Sequence, residues 1–249
     1  MTRWHKVLLV VAAVLPILTV AAQRRQRRSP GNDPSANLAY DGRFTFVRVR
    51  FEPLGGPFDL KWDHDYPTAE NHLMKILNEV TGVRARLDGS NIHSFADPEI
   101  FKFPLAYVSE PGFWTMTPEE LTGVRDYVNK GGFLIFDDFV GEHWYNFEAR
   151  WREAFPNLRP VKLDVTNPLF DSFFHIESIA MTHPYFGAQS EFYGAYEDND
   201  PAKRLVMVAN YNNDIGDYME WSDEGMLPIP LSNEAYKLAV NYVVYAMTH

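Results

Sequence analysis

The segment that most restricts the fold is Phe133-Leu134-Ile135-Phe136, four apolar residues in a row between Gly131-Gly132 and Asp137-Asp138. A strand with one solvated face alternates apolar and polar residues. A run without alternation belongs at the centre of a parallel sheet that is covered on both sides. Around it the chain alternates strand and helix signals. Phe44 to Phe51 (FTFVRVRF) reads as the first strand. A helix follows from Pro67, with Ala69, Leu73, Ile76, Leu77 and Val80 on one face and a stop at Gly82. Val83 to Leu87 reads as a short second strand, a polar connection follows, and Leu105 to Glu110 reads as the third strand.

Thr117-Pro118-Glu119-Glu120 combines an N-cap, a proline at the first helical position and a capping-box glutamate. It predicts a helix that buries Leu121, Val124 and Val128 and ends at Gly131. Trp144 to Phe155 reads as a further amphipathic helix. Residues 156 to 201 look irregular, with short strands only. Arg204 to Ala209 is a later core strand, and a last helix starts at Ser232. This alternation predicts an α/β domain over residues 43–249, a mostly parallel central sheet with helices on both faces. In such sheets ligands bind outside the carboxyl ends of the strands.

Charge is unevenly placed. Residues 1 to 28 carry Arg3, Lys6, Arg24, Arg25, Arg27 and Arg28 and no acid. The other 221 residues hold 17 basic and all 33 acidic side chains, a formal charge of −16. Such a body repels nucleic acid and favours cations, a basic protein partner or a neutral ligand such as a sugar. The chain has no cysteine, which excludes disulfides, thiolate metal sites and a cysteine nucleophile.

Residues 7–22 (VLLVVAAVLPILTVAA) are apolar throughout and follow a charged start. They predict a signal peptide, or an uncleaved membrane anchor, over residues 1–22. Val20 and Ala22 permit cleavage after Ala22, whereas the basic run Arg24 to Arg28 favours retention. Residues 23–42 read as a basic linker rich in Pro, Gly and Ser. The expected location is exported, periplasmic or extracellular, or tethered to the membrane through residues 7–22.

FTFVRVRF, Trp62 to Pro67 (WDHDYP), Ser109 to Gly112 (SEPG), GGFLIFDDF (Gly131 to Phe139) and the ending NYVVYAMTH resemble the bacterial family called domain of unknown function 4159 over roughly Phe44 to His249. The resemblance implies a class I glutamine amidotransferase-like, flavodoxin-like sheet with no established activity. Amidotransferases carry a catalytic cysteine at a sharp turn after a strand. The matching position here is Asp138 or Phe139, so cysteine-dependent glutamine hydrolysis is excluded.

The predicted strand ends select the candidate site. Asp137 and Asp138 close the central strand and suit a hard cation or acid–base work; strand geometry sends only one of them into a cleft. Trp62, Asp63, Asp65 and Tyr66 mix rings with carboxylates, as a sugar or cation site requires. Glu110, Asn212 and Asp214 lie on the same predicted rim. Asp138 and Asp214 are the metal-ligand candidates, and His143 a candidate base or ligand. No zinc-hydrolase spacing, Walker loop, dinucleotide fingerprint or serine elbow is present, so no cofactor is evident beyond a divalent cation. The reading favoured at this level is a non-catalytic ligand- or protein-binding domain. The alternatives are a carboxylate- or divalent-metal-dependent hydrolase or carbohydrate-active enzyme, and a cell-envelope interaction protein.

Overall fold

A computed structural model describes residues 37–249. The expected signal or anchor segment, and all but the end of the linker, lie outside the described residues. No helix among the described residues is long and apolar enough to cross a membrane.

Seven strands form one sheet: β1 (Val47–Val49), β2 (Asn91–His93), β3 (Leu105–Ser109), β4 (Phe133–Phe139), β5 (Val161–Lys162), β6 (Glu191–Tyr196) and β7 (Leu205–Tyr211), in the order β2-β1-β3-β4-β7-β6-β5. The ladders from β2 through β7 are parallel. β6 runs antiparallel to β7, with Glu191 opposite Tyr211, so the start of β6 lies beside the end of β7. β5 is antiparallel to β6. The helices are α1 (Thr68–Val80), α2 (Pro118–Asn129), α3 (His143–Ala154), α4 (Ile215–Glu220) and α5 (Ile229–Thr248).

β4 lies at the centre, as its unbroken apolar run requires. Phe133 and Ile135 pack in one core with residues of α1 and α5; Leu134 and Phe136 pack in the other with residues of α2 and α3. Period-two alternation places Asp137 on the side of Ile135. Phe139 should follow, yet it packs with Leu134 and Phe136. The reversal falls at Asp138, whose φ of 59° is left-handed, inside the register shift between Phe136 and Phe139. This bulge withdraws Asp138 from the ladder and re-aims it at the strand end.

α2 forms as its sequence dictates. Thr117 Oγ1 accepts from Glu120 N (3.2 Å) and Glu120 Oε2 accepts from Thr117 N (2.9 Å), closing the capping box. Its Gly123 lies against the backbone that follows β2, where a Cβ would fall 1.8 Å from the Phe95 carbonyl oxygen.

Three expectations are corrected. Residues 83–87 make only a bridge, Phe44 to Ala85, and the ladder strand is Asn91–His93 within the supposed polar connection. Its polar side chains are buried because they are bonded. Asn91 exchanges hydrogen bonds with the Leu38 backbone (2.7 and 3.0 Å), and His93 Nδ1 meets Asp97 Oδ2 at 2.6 Å. The first ladder strand spans three residues rather than eight. The last helix begins at Ile229 rather than Ser232, and the segment after Tyr211 caps the short helix α4, because Asp214 Oδ1 accepts from Asp217 N (2.7 Å).

Both sheet margins are closed. β5 is two residues long and exposed. Along β2, the Asn37 carboxamide copies a neighbouring strand, donating to Ile92 O (2.7 Å) and accepting from Ile92 N (2.8 Å).

Candidate functional site

Among the described residues, five of the seven non-glycine residues with positive φ stand where parallel strands end: Lys61 and Asp65 in the loop after β1, Glu110 after β3, Asp138 in β4 and Asn212 after β7. Left-handed backbone at a non-glycine residue is costly, and its concentration at one end of the sheet marks a place where side-chain direction outweighs that cost.

The side chains delivered there are mostly acids. Asp138, His183 and Asp214 offer ligand atoms that all lie within 4.8 Å of one another, as do those of Asp65, Asp214 and Asp217. Asp214 belongs to both triads. Asp65, His183, Asp214 and Asp217 are all buried. One oxygen, Asp65 Oδ2, is buried without a hydrogen-bond partner. It is pressed against α4, where a Cβ on Gly216 would come within 2.4 Å of it and 3.0 Å of Tyr107 Oη. Only glycine admits the carboxylate there.

The electrostatics follow from this crowding. Burial raises Asp65 well above the ordinary carboxylate range, and the charges of Asp217, Asp138 and Glu220 add to the rise against the pull of Arg48. Burial likewise raises Asp214, reinforced by Asp138, Asp217 and Asp65. For Asp138 burial also pushes upward, but hydrogen bonding and charge from His64, with His183, outweigh it and hold the group below its usual value. The neighbours of Asp138 favour its charged form, while burial and the surrounding acids disfavour the charged forms of Asp65 and Asp214 unless a cation stands beside them.

His64 also lies within 4.8 Å of Glu110 and Asp138, which is metal-ligand spacing. Its ring argues otherwise. Nδ1 contacts Glu110 Oε1 closely and lies 3.8 Å from Asp138 Oδ2, while Nε2 meets Asp59 Oδ1 at 2.9 Å. Burial opposes its charge, but bonds to Asp138 and Glu110 raise it to about 11. Both ring nitrogens therefore carry protons, and His64 acts as an imidazolium clasp rather than a ligand. Lys61 adds a second positive charge, with Nζ 3.0 Å from Asp59 and 3.2 Å from Glu110, above the Phe113 ring.

Asp137 does not enter this cluster. Its carboxylate accepts from Tyr107 Oη (2.6 Å), Asn210 Nδ2 (2.9 Å) and Gly216 N (3.1 Å), and Tyr242 Oη donates to Asn210 Oδ1 (2.9 Å). Burial raises it to about 6 against those hydrogen bonds. Its work is to tie β4 to the first turn of α4. A further support lies under the loop after β1. Buried Arg48 pairs with Glu70, donates to the carbonyls of Trp62 (3.0 Å) and His64 (2.6 Å), and packs over the Tyr107 ring (4.9 Å).

Of the residues expected to form the site, Asp65, Glu110, Asp138 and Asp214 converge. Trp62 and Asp63 are buried, so the Trp62 ring is core rather than a stacking face. Tyr66 is half-buried, 5.9 Å from the Arg48 guanidinium. Asn212 serves the backbone, accepting from Gly141 N (3.0 Å). His143 stands outside the triads, its ring 4.9 Å from that of Phe113. His183, Asp217, His64 and Lys61 were not singled out. Lys61 and His64 flank the candidates Trp62, Asp63 and Asp65, and Asp217 follows Asp214 by three positions, so the sequence held a signal for these three; only His183 is joined to the strand ends by the fold alone.

A mostly parallel α/β sheet bearing a buried acidic cluster at its carboxyl ends defines the class of protein. The chain belongs to the family described as "Domain of unknown function (DUF4159)", whose model matches residues 45–247. No curated protein matches it.

Proposed function

We propose that the domain is a divalent-metal-dependent hydrolase whose ion is held by Asp138, His183 and Asp214, with Asp65 and Asp217 completing the set around the shared Asp214. The observation that carries this reading is the buried Asp65 carboxylate: its Oδ2 has no hydrogen-bond partner, and a ligand atom of the same group lies within 4.8 Å of those of Asp214 and Asp217. An uncompensated buried carboxylate costs several kcal/mol, on the order of the effective penalty per buried ion. A cation removes that cost for several groups at once.

The donor set of hard oxygens with one imidazole suits Mn²⁺, with Mg²⁺ or Zn²⁺ as competitors. A bound ion of this kind lowers the pKa of water and polarises a substrate oxygen. His64 and Lys61 lie on the more open side, 14% and 20% exposed, where they pair with Asp59 and Glu110 at the edge of the acidic cluster. The apolar run at 7–22 supports placing this activity outside the cytoplasm or at the membrane.

Calorimetric titration of the metal-stripped full chain should show Mn²⁺ binding that Asp214→Asn weakens at least about a hundredfold, since one carboxylate serves both triads. Metal-dependent turnover should then appear in a screen of chromogenic esters, phosphoesters and glycosides. If none of Mn²⁺, Zn²⁺ and Mg²⁺ binds more tightly than millimolar, the centre does not exist. Tight binding without turnover would return the domain to a binding role.

A further inference from the structure

Six aromatic rings among the described residues are classed as exposed: Tyr40, Phe58, Tyr145, Phe173, Tyr185 and Phe186. Four of them lie at the carboxyl-end face. Phe58 is in the loop after β1, Tyr145 opens the helix after β4, and Tyr185 and Phe186 precede β6, whose start lies beside the end of β7. Phe58 is 99% exposed and Phe186 69%. Exposed rings concentrated on one face mark a contact surface.

Two of these rings are built into the acidic centre. The turn 183–187 is closed by His183 N to Ala188 O (2.8 Å) and Gly187 N to His183 O (3.2 Å), with a left-handed Gly187 and a bridge from Thr182 to Gln189. The Phe186 ring stands 4.7 Å from the His183 ring. The same fixed turn thus delivers a ligand atom to the cluster and an aromatic face to solvent. Within the face lie Asp59, Glu110 and Asp138, acceptors without competing anion-binding groups beyond Lys61 and His64, which they already occupy.

From this arrangement we infer that the site takes a neutral glycan. A pyranose offers an apolar C–H face to Phe186, Tyr185, Tyr145 or Phe58 and hydroxyl donors to the carboxylates, matching both halves of the surface. An anionic polymer meets a body of formal charge −16. An apolar peptide would cover the rings but offer the carboxylates only the N–H groups of its main chain, fewer donors than the hydroxyls of a pyranose. The inference names the substrate class of the proposed metal centre. It rests on that reading for the bond that is hydrolysed, and on the rim alone for binding.

The test uses the full chain in detergent with Mn²⁺ present. The probes are cellohexaose, chitohexaose and maltohexaose as neutral hexasaccharides, and hexagalacturonate as the anionic one. At least one neutral hexasaccharide should bind by calorimetry. Phe186→Ala and Tyr145→Ala should each weaken it about three- to tenfold, the range for loss of one ring contact. Phe173→Ala, an exposed ring elsewhere, should leave that binding within about twofold of the parent. The inference is overturned if no neutral hexasaccharide binds, if hexagalacturonate binds as tightly, or if the rim variants match the parent. Glycan binding without any Mn²⁺ binding would sink the metal centre and leave the glycan site standing.

Discussion

Replacing Arg48 by methionine separates what the buried ion pair does for folding from what it does for the site. Arg48 and Glu70 are each 1% exposed in their side chains. Arg48→Met leaves the Glu70 carboxylate buried without its partner, which costs about 3–5 kcal/mol. It also frees the carbonyls of Trp62 and His64, which Arg48 holds at 3.0 and 2.6 Å. For a domain of this size each kcal/mol moves Tm by roughly 2–4 °C, so the variant should melt about 10 °C lower. Arg48→Met with Glu70→Leu removes both charges and should recover at least about 2 kcal/mol of the loss, because the orphaned carboxylate is gone. The double variant still lacks the clamp on the loop that carries His64 and Asp65. Its Mn²⁺ affinity should therefore stay at least about tenfold below the parent while its stability returns. Differential scanning calorimetry and metal titration on the same samples read both quantities. If the single variant loses less than about 1 kcal/mol, the pair is not the buried lock described. If the double variant melts no higher than the single, the stranded carboxylate is not the source of the loss.

Two glycines report on close approaches elsewhere. Gly123→Ala should gain helix propensity, yet its Cβ would meet the Phe95 carbonyl oxygen at 1.8 Å, a backbone atom that cannot swing away. The net effect in denaturant unfolding should be a loss of about 1–3 kcal/mol, and an unchanged midpoint would refute the contact. Gly216→Ala pushes on Asp65 Oδ2 at 2.4 Å and should lower Mn²⁺ affinity about tenfold or more, with thermal stability much less affected; equal Mn²⁺ affinity would detach Asp65 from the ion.

Where local chemistry decides, the sequence is legible. The FLIF run, the capping box at Thr117 and the long C-terminal helix all formed as their patterns require, and five strands are parallel as the alternation implies. The strand Asn91–His93 is hidden in the sequence because its polar residues break the apolar pattern of a buried strand, and the partner that satisfies Asn91 is the Leu38 backbone, 53 positions away. The rim position of Asp65, Glu110, Asp138 and Asp214 followed from the rule that ligands meet carboxyl ends. His183 could not be found that way, since it reaches the cluster through an irregular segment far along the chain. Trp62 reads as a stacking ring in sequence because an aromatic beside aspartates looks functional; packing claimed it for the core. Which of Asp137 and Asp138 faces the cluster was also undecidable without the bulge, because alternation alone treats the two symmetrically.

The closed margins of the sheet have a consequence for how this molecule meets others. An exposed edge strand is a template on which a second chain can lengthen the sheet, in assembly or in aggregation. At one margin the template is two residues long and carries Lys162. At the other, the Asn37 carboxamide already fills the donor and acceptor of Ile92 that an incoming strand would use. Among the described residues, neither flank offers a long open template for strand addition. Trimming the chain past Asn37 would reopen one flank, turning a side-chain imitation of a strand into an invitation for a real one.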